Sequence, residues 1–165
     1  MGVDTVGALN ETITSGNINH LILLQEGLQE KVLSDIADKI VSEKKRVILI
    51  AGPSSSGKTT FSHRLSIQLE IAGLRPYPIS LDEYFLDREK SPKDQFGNYN
   101  FETIASLDVE LLSKHLNQLL SGERISLPTY NFLTGRREYR GKELQIGEKD
   151  VLVLEGIHGL NGALT

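Results

Sequence analysis

The sequence predicts an α/β fold, a three-layer sandwich built on a mostly parallel sheet. Three observations predict it. Two continuous apolar runs, Val47-Ile48-Leu49-Ile50-Ala51 and Val151-Leu152-Val153-Leu154, have the length and composition of strands buried on both faces. Between and before them lie segments with apolar residues three and four apart, the spacing of amphipathic helices. Turn-forming glycines divide these segments, so strand and helix patterns alternate, the order that produces a parallel sheet.

Length and composition set the bounds. With 165 residues the chain can form one domain with a real core but not two full ones. Hydrophobic residues make up 39% and charged residues 24%, the balance of an ordinary globular protein. No apolar stretch nears the roughly 20 residues that span a bilayer, and the N-terminus has no secretory pattern, so no membrane partner is expected. Cysteine is absent, which excludes disulfides and thiolate metal sites and is compatible with a reducing cytoplasm, the expected compartment. A net charge of −4 argues against a general nucleic-acid binder, which would carry a basic surface.

The elements follow in order. Residues 1–19 mix small and polar side chains with Val6, Leu9 and Ile13 and read as a linker or arm; the domain proper is expected over 20–165. From His20 to about Ser42, Leu21, Leu24, Leu28, Val32, Ile36 and Ile40 form one helical stripe. After the first apolar run, Gly52-Pro53-Ser54-Ser55-Ser56-Gly57-Lys58-Thr59 spells G-x-x-x-x-G-K-[ST], the P-loop pattern. Lys58 then opens a helix with Phe61, Leu65, Leu69 and Ala72 on one face, ending at Gly73. Tyr77 to Leu81 reads as a strand, and Pro76 and Pro78 place it at a sheet edge because proline cannot donate to a ladder. Asp108 can cap a helix with Leu112, Leu116, Leu119 and Leu120 as its buried face, closed by Gly122. Extended pieces at Ile125 to Leu127 and Glu138 to Arg140 flank Thr134-Gly135 and read as a β-hairpin.

In parallel sheets, ligands bind beyond the carboxyl ends of the strands. At the first end, glycines let the backbone amides turn toward phosphate oxygens, and the following helix adds the positive end of its dipole. Gly52, Ser54, Ser55, Ser56, Gly57, Lys58, Thr59 and Thr60 are the expected nucleotide-binding set, with Lys58 reaching the β- and γ-phosphates and the Thr59 hydroxyl on Mg²⁺. At the second end, Asp82 can accept the proton of an attacking hydroxyl. At the third, Glu155 resembles a Walker-B acid able to hold Mg²⁺. His158 reads more often as a structural loop histidine, and His63 and His115 receive no role. Arg136, Arg137 and Arg140 fit a phosphate contact and a solvated face equally. Tyr130 and Phe132 fit a base or sugar pocket and core packing equally.

Taken together, these pieces resemble the uridine kinase/phosphoribulokinase family of P-loop kinases. The resemblance rests on GPSSSGKTTF (Gly52 to Phe61), SLDEYF (Ser80 to Phe85), LPTYNF (Leu127 to Phe132) and VLVLEGIHGLN (Val151 to Asn161), in family order over about the last two-thirds of the chain. It implies a P-loop NTPase sandwich with a substrate-side β-hairpin, and transfer of phosphate from ATP, with Mg²⁺, to a hydroxyl of a nucleoside or similar ribose-bearing small molecule. It also implies roles: Asp82 as general base, Lys58 and Thr59 on the phosphates and Mg²⁺, Glu155 as the strand-end acid. Tyr84, Phe85, Tyr130, Phe132 and Arg136 are implied on the substrate side, with Asp94 the nearest candidate for the family's ribose-holding aspartate.

Two departures stand out. Thr134-Gly135-Arg136 occupies the place where uridine kinases carry a histidine that reads the pyrimidine edge. The chain also stops at Thr165, before the family's arginine-bearing lid and last strands, so the piece is expected to be incomplete, with impaired activity alone. The apolar edge this would leave on the P-loop strand is expected to be covered by the N-terminal segment or by a second copy of the chain. The competing classes are a P-loop ATPase switch and a non-catalytic nucleotide-binding module of a larger protein. Against a GTPase, Asp94-Gln95-Phe96-Gly97 fits D-x-x-G, but no apolar strand precedes it and no [NT]-K-x-D follows.

Overall fold

The computed structural model describes residues 3–162 and Leu164. Its elements in chain order are α1 (Val6–Thr14), α2 (Ile18–Ser42), β1 (Val47–Ile50), α3 (Lys58–Ile71), β2 (Arg75–Ser80), α4 (Val109–Leu120), β3 (Ile125–Asn131), β4 (Arg136–Leu144) and β5 (Asp150–Glu155). β1, β5 and β2 form a parallel sheet in that spatial order, and β3 and β4 form a separate antiparallel ribbon. The last of the described strands thus lies in the middle, which explains why Val151 to Leu154 are all buried.

Side-chain alternation splits the sheet into two faces. Ile50 and Val153 face α2 and α3, packing with Leu33, Ala37, Ile40, Leu65 and Leu69. Leu152, Leu154 and Ile79 face the other side, where α4 and the ribbon supply Leu112, Leu119, Ile125, Leu127 and Tyr130. The three layers expected from the sequence are therefore present. β2 is an edge strand, as its two prolines require. β1 is the other edge; among the described residues no strand pairs with its outer side.

Where the helices differ from expectation, geometry gives the reason. In α2 the buried residues are Leu33, Ala37 and Ile40, whereas Leu24, Leu28 and Val32 remain substantially exposed. Twenty-five residues make a helix about 37 Å long, while a six-residue strand spans about 20 Å, so only the second half of α2 reaches the sheet. The part of the N-terminal segment that reaches the sheet, the second half of α2, therefore lies over one of its faces. Glu30 docks the helix on α3 by accepting from Arg64 Nε at 2.7 Å and Gln68 Nε2 at 2.8 Å. The segment expected as a linker or arm contains α1, capped by Thr5, and α1 buries none of its residues. No helix among the described residues is long and apolar enough to cross a membrane.

In α4 the Asp108 carboxylate caps the helix by accepting from the Leu111 amide at 3.0 Å. Its buried positions are Leu112, His115 and Leu119, while Leu120 lies exposed. The stripe runs one helical step away from the leucine-only reading because a histidine occupies a core position. His115 Nδ1 and the Tyr84 hydroxyl lie 3.2 Å apart, so the buried polar groups satisfy each other.

Two stability effects follow. Leu154 is fully buried in the central strand, and Leu154→Ala should cost about 2–5 kcal/mol in a urea melt. Burial, reinforced by Lys114 and Arg137, holds the His115 pKa below its usual value. A lowered histidine pKa means the unfolded chain takes up the proton first, so stability is complete above about pH 6.5 and is lost as pH falls below it. His115→Gln should flatten that acid slope, read as a smaller difference between urea midpoints at neutral and mildly acidic pH.

Candidate active site

Register brings three strand ends level. Ile50 and Ser80 both pair with Glu155, from opposite sides of β5. The loops that leave β1, β2 and β5 therefore start from one line and share one end of the sheet.

The loop after β1 is a cradle of main-chain donors. Ser55 and Gly57 adopt positive φ of 58° and 85°, which turns the chain back on itself before α3 begins at Lys58. The helix start has no side-chain cap, so its first amides are left for a ligand. A Cβ on Gly52 would sit 2.7 Å from Ser56 Oγ and 3.3 Å from Lys58 Cγ, so the loop closes around a hydrogen at that position. Lys58 Nζ donates to the Pro53 carbonyl at 2.8 Å, which holds the ammonium over the loop.

Thr59 Oγ1 donates to Glu155 Oε1 at 3.3 Å, tying the first turn of α3 to the end of β5. A hydroxyl and a carboxylate side by side are hard oxygen ligands, the donor type Mg²⁺ takes when phosphates and water complete its shell. Asp82 sits in a 3₁₀ turn, Leu81–Tyr84, and its amide is capped by Ser80 Oγ at 3.3 Å. Burial and the nearby Glu155 push its carboxyl above the usual range, and Lys58 opposes the shift. A raised pKa makes this carboxylate a better proton acceptor.

A cleft of about 470 Å³ opens beside these groups, lined by Pro53, Ser54, Asp82, Phe85, Phe101 and Phe132, with Glu102 and Ile157. In this turn Leu81 and Tyr84 are buried in the core and Asp82 lines the cleft; Phe85, which follows the turn, is buried in the same core and also borders the cleft. Tyr84, expected at the substrate, is instead buried with its hydroxyl on His115. Tyr130 is also buried, standing behind the cleft with its ring edge-on to Phe85 and to Phe132 at 5.6 and 5.0 Å. Asp94 does not line the cleft. Its carboxylate closes its own loop, accepting from the Phe96 and Asn98 amides at 2.8 and 2.9 Å. Arg136 pairs with Glu89 at 3.5 Å on the surface of the ribbon. His158 is buried.

Glu102 was not legible from the sequence. It reaches the cleft because Leu86 N donates to Ser106 O and Asp108 N to Tyr84 O, a long-range pairing that lays 101–108 along 84–86. Phe101 then packs on Phe85 with ring centroids 5.2 Å apart. Two larger grooves, about 540 and 640 Å³, lie between α1 and the first half of α2 and involve neither the loop after β1 nor Asp82.

Comparison with known proteins bears on this geometry. The family model described as "Phosphoribulokinase / Uridine kinase family" matches residues 47–162. A uridine kinase of Lactobacillus helveticus is 35% identical over 115 residues, covering 70% of this chain and 53% of the relative. A uridine kinase of Halobacterium salinarum is 34% identical over 113 residues, covering 68% of this chain and 48% of the relative. The chain therefore spans about half the length of these two curated relatives. Among solved structures, a protein described as a possible uridine kinase from Bacillus stearothermophilus superposes with a TM-score of 0.65 at 25% identity, covering 80% of this chain and 73% of that one.

Lys58→Ala should weaken binding of a non-hydrolysable nucleoside triphosphate by about 10- to 100-fold, the loss of one or two charge-assisted hydrogen bonds. Calorimetric titration reads the change, and an unaltered urea midpoint separates it from unfolding.

Proposed function

Because the chain belongs to the phosphoribulokinase/uridine kinase family, we propose that its protein is an ATP-dependent kinase acting on a hydroxyl of a nucleoside-like, ribose-bearing small molecule. The observation that carries this reading is the register of Ile50 and Ser80 with Glu155, which sets Asp82 beside both the phosphate cradle and the aromatic cleft. The names of the uridine kinase relatives support the acceptor class.

In this reading Ser54, Ser55, Ser56, Thr60 and the glycines at 52 and 57 present donors to the triphosphate, and Lys58 neutralises its β- and γ-oxygens. Thr59 and Glu155 would hold Mg²⁺, which when bound would supply charge neutralisation for the triphosphate. Asp82 takes the proton as the acceptor oxygen bonds to the γ-phosphorus and the bond to ADP breaks. Its raised pKa suits that task. Phe85, Phe101 and Phe132 give an apolar surface for a ring, and Glu102 gives a carboxylate able to accept from sugar hydroxyls. Glu102 replaces Asp94 in that part.

Incubating the full-length protein with ATP, Mg²⁺ and a panel of nucleosides and sugars tests the proposal by ADP release. Release that depends on one acceptor class is expected. Release without acceptor would mean an ATPase switch, and nucleotide binding without turnover a sensing module. Asp82→Asn should lower transfer by about 100-fold or more while ATP affinity stays within about twofold; transfer at the wild-type rate would remove Asp82 as the base.

A further inference from the structure

The ribbon of β3 and β4 is fastened to the segment that bears Asp82 from both of its edges. Tyr130 and Arg137 are cross-strand partners, and the amide of each donates to a carboxylate outside the ribbon. The Tyr130 amide donates to the Glu83 carboxylate at 2.6 Å, and the Arg137 amide to the Asp87 carboxylate at 3.0 Å. In an antiparallel pair, residues that do not exchange hydrogen bonds point their amides outward, so these carboxylates cap opposite edges of the ribbon. Arg88 closes the tip. Its amide donates to Gly135 O at 2.7 Å and its Nη2 to Phe132 O at 2.6 Å. A Cβ on Gly135 would meet Arg88 atoms at 2.7–2.8 Å, so the approach requires glycine.

Residues 83–88 therefore straddle the ribbon while their first member adjoins Asp82. A two-stranded ribbon is marginal alone, and its outer amides need partners. We infer that Glu83, Asp87 and Arg88 are positioning residues, a clamp that fixes the Phe132 wall of the cleft relative to the Asp82 carboxylate and so sets where an acceptor hydroxyl lies. The inference rests on the kinase reading above for what the cleft receives. The clamp holds an acceptor in reach of the base, and it leaves the phosphate cradle alone, because none of its bonds touches 52–60. That separation makes it testable.

Native-state hydrogen exchange reads the two amides directly. Glu83→Ala should speed exchange at Tyr130 by about tenfold or more, the loss of one charge-assisted bond, while β5 amides keep wild-type rates. Glu83→Gln retains a carbonyl oxygen and should restore most of the protection. In the transfer assay, Glu83→Ala should lower kcat/KM for the acceptor by about 10- to 100-fold, with Glu83→Gln within about threefold of wild type and ATP affinity unchanged in both. If Glu83→Ala does not fold, Asp87→Ala makes the same test at the Arg137 amide. Exchange at Tyr130 already as fast in wild type as in Glu83→Ala overturns the clamp, as do Ala and Gln variants with equal acceptor kinetics. A wild-type protein that binds ATP and phosphorylates no acceptor overturns the kinase reading instead, and exchange at the two amides still decides the clamp.

Discussion

Glu155 stands between Ile50 and Ser80 in the parallel ladder, and the candidate site depends on that pairing. Neither the glycine-rich loop nor Asp82 could find its partner from its own segment. The loop after β1 and the turn after β2 are about thirty residues apart in sequence, and the acid that joins them comes some seventy residues later. Inserting β5 between β1 and β2 solves this with backbone hydrogen bonds alone. The apolar character of Val151 to Leu154 drives the insertion, since burying four such side chains contributes roughly 1.5–3 kcal/mol each.

The same pairing sets the electrostatics. Two carboxylates, Asp82 and Glu155, come together at the strand ends with one ammonium, Lys58, near them. Burial and like charge raise the Asp82 pKa, and the lysine limits the rise. Exposed ion pairs elsewhere, such as Arg136 with Glu89, contribute little by comparison because water screens them. The carboxylates that accept main-chain amides, Glu83 and Asp87, matter more, since they satisfy donors that the ribbon cannot satisfy internally.

Much of the fold was legible because it is written in local patterns. The glycines and lysine of the loop after β1, the apolar runs of β1 and β5, the prolines of β2 and the Asp108 cap all act within a few residues of themselves. The layout of the cleft was less so. Tyr84 and Phe85 are adjacent in sequence and both buried in one core, yet only Phe85 also borders the cleft, a difference that no local pattern announces. Asp94, the candidate that the family resemblance offered for a ribose-holding aspartate, has its carboxylate claimed by its neighbours' amides. Glu102 reached the cleft through a pairing between 84–86 and 106–108, which no periodicity announces. The exposed half of α2 likewise depended on helix length against strand length, a comparison between elements that neither pattern contains.

The prolines of β2 have a consequence for how the sheet can associate. Arg75 donates its amide toward the β5 side, to Lys149 O at 2.9 Å, so Pro76 and Pro78 occupy the alternate positions whose donors would face outward. Those donors do not exist, and no incoming strand can complete a ladder along that border. Among the described strands of this sheet, the margin left with main-chain donors for lateral growth is the one beside Val47 to Ile50. The parallel sheet is in this sense one-sided: the candidate site sits at the ends of its strands, and its open main-chain margin is the one nearest the phosphate loop.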